Sequence, residues 1–168
     1  MLATIGYERA ELQDFIATLQ ACHVDVLVDI RDRAQSRRPG FSKSTLSVAL
    51  SKAGIEYIHV KELGDPKEGR DAARGGDYEA FRTVFARVME SEAARDALVR
   101  LESLASEKSI CLMCYERDQM HCHRKIVSEY LETALSVKAR HLGVVKNASE
   151  RSTDRRVRYP NQGATASL

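Results

Sequence analysis

Along the chain, short apolar runs alternate with longer stretches in which large hydrophobic residues recur every three or four positions. Leu2 to Ile5 reads as a strand, and Ala10, Leu12, Phe15, Ile16 and Leu19 follow at helical spacing. Val24 to Ile30 is a dense β-branched run, so the chain opens with a β-α-β unit. A second helix has Ser42 or Ser44 as its cap and Leu46, Ala49, Leu50 and Ala53 on one face. Gly54 stands where a left-handed residue ends a helix. Ile55 to Val60 makes a third strand. Lys61 to Gly76 is rich in glycine and charge and carries no apolar stripe, which predicts a loop. Asp77 then caps a helix that buries Phe81, Val84, Phe85 and Val88, and Ser91 caps another with Ala94, Leu98, Leu101 and Leu104 inward. Ser109 to Cys114 is a fourth strand. Ile126, Val127, Tyr130, Leu131 and Ala134 mark the buried face of a last helix, and Val137 to Leu142 closes the sheet.

Strands that read as apolar on both faces, separated by helices, predict an α/β fold. The expectation is a single compact domain with a mostly parallel sheet of about five strands covered by helices on both faces. A chain of 168 residues with 43% hydrophobic content suits one such domain. No apolar run approaches the roughly 18 residues of a membrane-spanning helix. Nine Gly and three Pro exclude collagen-like and low-complexity classes. Met1 to Ala10 shows no basic segment leading into an apolar one, so a cytoplasmic location and four reduced cysteines are expected.

The formal net charge of +2 is spread unevenly. Lys146, Arg151, Arg155, Arg156 and Arg158 against Glu150 and Asp154 give residues 146–168 a charge of +3, which leaves residues 1–145 at −1. Residues 146–168 hold almost no large apolar side chains to offset their ordering entropy. The chain therefore divides into an α/β domain, 1–145, and a basic, disordered tail, 146–168.

Ligands of open parallel sheets lie beyond the carboxyl ends of the strands, so the polar residues that follow each strand are the ones to inspect. Gly6-Tyr7-Glu8 follows the first strand. Arg31 to Arg38 follows the second and holds four Arg and one Asp. Cys114-Tyr115-Glu116-Arg117 follows the fourth and leads to His121-Cys122-His123-Arg124. All are expected to converge on one rim. Guanidinium forks bind phosphate or carboxylate bidentately, so the Arg31–Arg38 segment can grip an anionic substrate or a nucleic-acid backbone, or form a solvated loop with its own ion pairs. Cys122 and His123 precede Ile126 and Val127 by one turn, which places them over the apolar face at the start of a helix. A helix N-terminus favours thiolates and anions, so Cys122 can act as a thiolate, with Glu116 and His123 as an acid/base pair and Arg124 as an anion clamp. The structural alternative makes Cys122 a small buried hydrophobe and His123 a capping neighbour.

Three other motifs overlap this segment. Cys111, Cys114 and Cys122 with His121 or His123 have the composition of a zinc site. Residues three apart in an extended strand point to opposite faces, so Cys111 and Cys114 cannot both ligate one ion without a bend. The expected site thus holds no metal and no cofactor. Were zinc present, Cys114, Cys122 and His123 would be its first ligands. The same geometry argues against a C-x-x-C redox pair, which opens a helix. The C-x5-R string from Cys111 to Arg117 lacks the glycines that a phosphate-cradling loop needs.

Four blocks then occur in a recognisable order: Thr4-Ile5-Gly6-Tyr7; Val26-Leu27-Val28-Asp29-Ile30-Arg31 with Ser36-Arg37 and Phe41; Gly54-Ile55-Glu56-Tyr57 with Leu63-Gly64; and Cys114-x-Glu116 with Cys122-His123-Arg124. Together they resemble the domain of unknown function 488 family, over about Leu2 to Leu142. The resemblance implies a small α/β domain whose site comprises Gly6, Tyr7, Arg31, Ser36, Arg37, Cys114, Glu116, Cys122, His123 and Arg124. Tyr7 stands where family members commonly have His, and Ala34-Gln35 where they commonly have a Pro. The family carries no established activity.

The functional expectation is an enzyme for a phosphate-bearing substrate, a nucleotide or nucleic acid. Cys122 is then the nucleophile or polarised thiol, Glu116 the acid/base, His123 a base or orienter, and Arg31, Arg37 and Arg124 the anion contacts. The alternative is a non-catalytic DNA- or RNA-binding module that uses the basic loop and tail, without a base-stacking platform because aromatic residues make up 6% and Trp is absent. A zinc-binding domain is the third possibility.

Overall fold

The computed structural model describes residues 1–151. Strands β1 (Leu2–Gly6), β2 (Val26–Asp29), β3 (Glu56–His59), β4 (Ile110–Cys114) and β5 (Arg140–Leu142) form one sheet in the order β3-β2-β4-β1-β5. Every pairing is parallel. The helices are α1 (Leu12–Ala21), α2 (Lys43–Lys52), α3 (Lys67–Arg74), α4 (Tyr78–Glu90), α5 (Glu92–Glu107) and α6 (His123–Leu135).

The pleat sorts side chains into two cores. Val26 and Val28 of β2 and Ile110, Leu112 and Cys114 of β4 pack with Phe81, Phe85, Leu98, Leu101, Val127 and Leu131 of α4, α5 and α6. Leu27, Cys111 and Met113 face the other way, onto Phe15 and Leu19 of α1 and Leu46 and Leu50 of α2. Burial on both faces is why β2 and β4 read as unbroken apolar runs. Each large side chain so buried contributes roughly 1.5–3 kcal/mol. Asp77 and Ser91 cap α4 and α5 as expected, accepting the N–H of Ala80 at 3.0 Å and of Ala94 at 3.2 Å. Gly54 has φ +76° just beyond α2. Ser42 sits at the head of α2, but its hydroxyl is exchanged with the backbone of Ser36 instead of capping the helix.

Two expectations are corrected. The segment 61–76 is not a loop: a 3-10 turn at Lys61–Leu63 leads into α3. This helix has no apolar stripe to announce it. It is held by packing on α4 and by Arg70, which donates to Asp32 Oδ2 at 3.0 Å and to the carbonyl of Asp65. Tyr130 and Ala134 are exposed rather than buried, because the inward stripe of α6 runs His123, Val127 and Leu131.

Most of the expected tail, residues 152–168, lies outside the described residues. Its first part is tied down: the N–H groups of Asn147 and Ser149 donate to the Asp14 carboxylate of α1 at 2.9 and 3.2 Å. Among the described residues, no helix is long and apolar enough to cross a membrane.

Candidate functional site

The register sets Gly6 level with Cys114 and Asp29 level with Met113. The segments leaving β1, β2 and β4 therefore emerge side by side, as expected. They do not form one site, because the sheet itself separates two polar clusters.

One cluster lies on the α1/α2 side and centres on Arg31, which is 6% exposed. Its Nε and Nη2 donate to the two Asp29 oxygens at 2.8 and 2.6 Å, and its Nη1 donates to Tyr7 Oη at 2.8 Å and to the Phe41 carbonyl at 2.9 Å. Tyr57 Oη adds a bond to Asp29 at 2.6 Å, and the Tyr7 ring stacks on Phe41 with centroids 4.4 Å apart. Burial works against the Arg31 charge, but the bonded Asp29 carboxylate outweighs it and holds the guanidinium above its ordinary pKa. Burial, and then Asp29, likewise push the Tyr57 phenol up. The Arg31 fork is thus committed inside the protein. Ser36 organises the following loop by accepting the Arg38 N–H at 3.1 Å. Arg37 is exposed on that loop, with no hydrogen bond or ion pair among the described residues.

The second cluster lies on the α4/α6 side and borders a cavity of about 180 Å³. Asp65, Arg70, Arg74, Glu116, Cys122 and His123 line it, with Tyr78 and Phe81 as an aromatic wall and His121 stacked on Tyr78 at 4.9 Å. Cys122 caps α6, its sulfur accepting the Arg124 N–H at 3.5 Å. Arg124, 1% exposed, runs back beneath the loop that follows β4. Its Nη1 donates to the Glu116 carbonyl and to Cys114 Sγ at 3.3 Å, and its Nη2 donates to the Arg117 carbonyl at 2.9 Å. Its Nε has no partner among the described residues. Burial draws its pKa down, against the charge of Glu116. Gly6 permits this arrangement, since a Cβ there would stand 1.8 Å from the Glu116 carbonyl oxygen.

The sulfurs of Cys114 and Cys122 are in contact, on Cα atoms 7.7 Å apart. Cys114 Sγ is 3.0 Å from Glu116 Oε2. His123 Nε2 donates to the Ile30 carbonyl at 2.9 Å, which turns Nδ1 toward Cys122 Sγ at 3.8 Å. Burial pulls the His123 pKa down to about 4 and pushes that of Glu116 up. Across the cavity, Asp65 is 5% exposed and its Oδ1 has no hydrogen-bond partner among the described residues. Burial raises its pKa to about 7, with the Arg70 charge opposing. A Cβ on Gly69 would lie 2.0 Å from that oxygen, so a glycine is what lets α3 pass so near.

Of the expected site residues, Cys114, Glu116, Cys122, His123 and Arg124 are brought together, with Gly6 beneath them. Tyr7 and Arg31 belong to the other cluster, and Ser36 and Arg37 to the loop beyond it. Cys111 points into the opposite core, as strand geometry requires, and burial pushes its thiol up. Sequence reasoning missed Asp65, Arg70 and Arg74. The signal available was positional, since Asp65 directly follows Leu63-Gly64 in the turn that leaves β3.

No curated protein and no solved structure matches the chain. The family model for a domain of unknown function, DUF488, matches residues 11–131. That span begins after the Gly6-Tyr7 block and contains every residue named above as lining the cavity, and the chain belongs to the DUF488 family.

Proposed function

We propose that this protein is an enzyme acting on a phosphate-bearing substrate, with Asp65 and Glu116 as its proton-transfer pair and Arg70 and Arg74 as its anion contacts. The observation that carries this reading is Asp65: a buried carboxyl with an orphan oxygen, sharing a small cavity with a second carboxyl and two guanidinium groups. A pKa of about 7 lets Asp65 hold a proton at neutral pH and release it to a leaving oxygen, which is the range where acid–base catalysis is most effective. Glu116 then takes the proton of the attacking water or acceptor hydroxyl, so hydrolysis and transfer use the same pair. A volume of about 180 Å³ suits the reacting phosphate end of a substrate, with the remainder outside. Cys122, whose sulfur is engaged by Cys114 and His123, is not needed as the nucleophile in this scheme.

Turnover of phosphate mono- and diesters, nucleotides included, tests the proposal. Asp65→Asn and Glu116→Gln are each expected to lower the rate by about 10²–10⁴ while the fold persists. Full activity in both variants would sink it.

A second reading rests on Arg33 and Arg37, both exposed without an acidic partner among the described residues. They suit nucleic-acid phosphates and would give binding that weakens steeply with salt. Affinity that stays constant between about 50 and 200 mM salt, or that survives loss of both arginines, removes that reading.

A further inference from the structure

The floor of the cavity holds chemistry that the carboxyl pair does not use. Cys114 Sγ, Cys122 Sγ and His123 Nδ1 lie within 4.8 Å of one another, and all three residues are buried. We propose that these atoms form a zinc site with its fourth coordination position open toward the cavity.

The donor set comes first. Two thiolates and an imidazole suit a borderline-soft divalent ion, and a set of three protein ligands leaves one position for water or substrate. The histidine is already arranged as a ligand. A carbonyl only accepts, so the bond to Ile30 places the proton on Nε2 and leaves the lone pair on Nδ1, the second-shell pattern found behind metal-bound histidines. Both sulfurs are placed to be thiolates: Cys122 at the N-terminus of α6, accepting the Arg124 N–H, and Cys114 beside the Arg124 guanidinium. Charge is balanced as well, since a divalent ion with two thiolates is neutral and adds no repulsion to the buried Arg124.

Backbone spacing points the same way. A disulfide spans Cα atoms about 4.4–6.8 Å apart, and these lie 7.7 Å apart. Two Zn–S bonds of about 2.3 Å at a tetrahedral angle hold their sulfurs about 3.8 Å apart, which a wider backbone accommodates. Glu116 reaches Cys114 but falls outside the three-atom cluster, and Cys111 faces the opposite core, so the fourth position is left to the cavity. This inference does not depend on the acid–base reading, and either can fail alone.

The test uses the full chain, prepared without a polyhistidine tag and reduced under anaerobic conditions. One equivalent of Zn²⁺ is expected to bind and to protect two of the four thiols from a thiol reagent. Co²⁺ in its place is expected to give the intense charge-transfer band of thiolate ligation. Cys122→Ser and His123→Ala are expected to lose the Co²⁺ band or weaken it severely, whereas Cys22→Ser, away from the cluster, keeps it. Because a variant at a buried position can fail to fold, thiol protection in the unaltered chain stands as an independent readout. Cys114 and Cys122 thiols that react as fast with Zn²⁺ present as without it, or a Co²⁺ band unchanged in folded Cys122→Ser, overturn the proposal. A Cys114–Cys122 disulfide that forms in air whether or not Zn²⁺ is present also overturns it.

Discussion

The two polar clusters at the carboxyl edge of the sheet have similar ingredients and opposite states of completion. Around Arg31, an arginine, an aspartate and two tyrosines close on one another, and Asp29 meets the guanidinium in two-point contact. Around the cavity, Asp65 Oδ1 and Arg124 Nε are buried without partners, and two carboxyls are pushed toward their neutral forms. Burial is costly to both clusters, but only the first offsets it internally. A satisfied cluster fixes the position of strands and loops, whereas one left short of partners is where a ligand has something to add. Arginine content alone does not distinguish them.

The comparison breaks most easily at its closed half. Arg31→Ala leaves Asp29 buried without its counter-charge and is expected to cost about 3–5 kcal/mol in denaturant unfolding. A loss below 1 kcal/mol would show that the pair does not hold this cluster together. The partly exposed Arg70–Asp32 pair is the contrast, and uncoupling it should cost about 1 kcal/mol or less.

The open half is read best through pH. The folded-state pKa of Asp65 is raised above its ordinary value of 3.8 to about 7. Between those values the unfolded chain has released a proton that the folded chain still holds, so this group makes stability fall as pH rises through the window. Asp65→Asn removes the effect. The variant is expected to match the parent near pH 4 and to exceed it by about 2–4 kcal/mol at pH 8, measured by urea unfolding at both. A difference that does not change with pH would place Asp65 in a solvated setting.

Gly6→Ala tests the joint beneath the cavity cluster. Its Cβ would strike the Glu116 carbonyl and approach Arg124 Nη1 to 2.8 Å, and the loop must move, at a cost of about 1–3 kcal/mol in thermal or denaturant unfolding. The smallest effect is expected on the outer face of α6, where Tyr130→Ser should stay within about 0.5 kcal/mol. A larger loss there would mean that the exposed ring is covered by something else.

Much of this was legible beforehand. Continuous apolar strands, helical spacing and caps at Asp77 and Ser91 encode the parallel sheet, and Cys114, Glu116, Cys122, His123 and Arg124 gather in space because they are near in sequence. Helix α3 was not legible, since Lys-Glu-Gly-Arg-Asp-Ala-Ala-Arg has no stripe and a glycine in its middle. With it went Asp65, Arg70 and Arg74. Arg31 looked like a ligand contact because it follows a strand, but nothing near it in sequence shows that Tyr7, Phe41 and Asp29 all claim its donors.

What the amino-acid sequence determined by itself is the alternation of strand and helix, the edge at which the strands end, and the cysteine, glutamate and histidine that gather there. These follow from periodicity and adjacency, which encode burial locally. Only the tertiary structure decided which face of the sheet each polar side chain joins, which arginines are already committed, and which carboxyl is left short of partners. Those depend on partners far away along the chain, because hydrogen bonding and desolvation are properties of the assembled neighbourhood rather than of the residue.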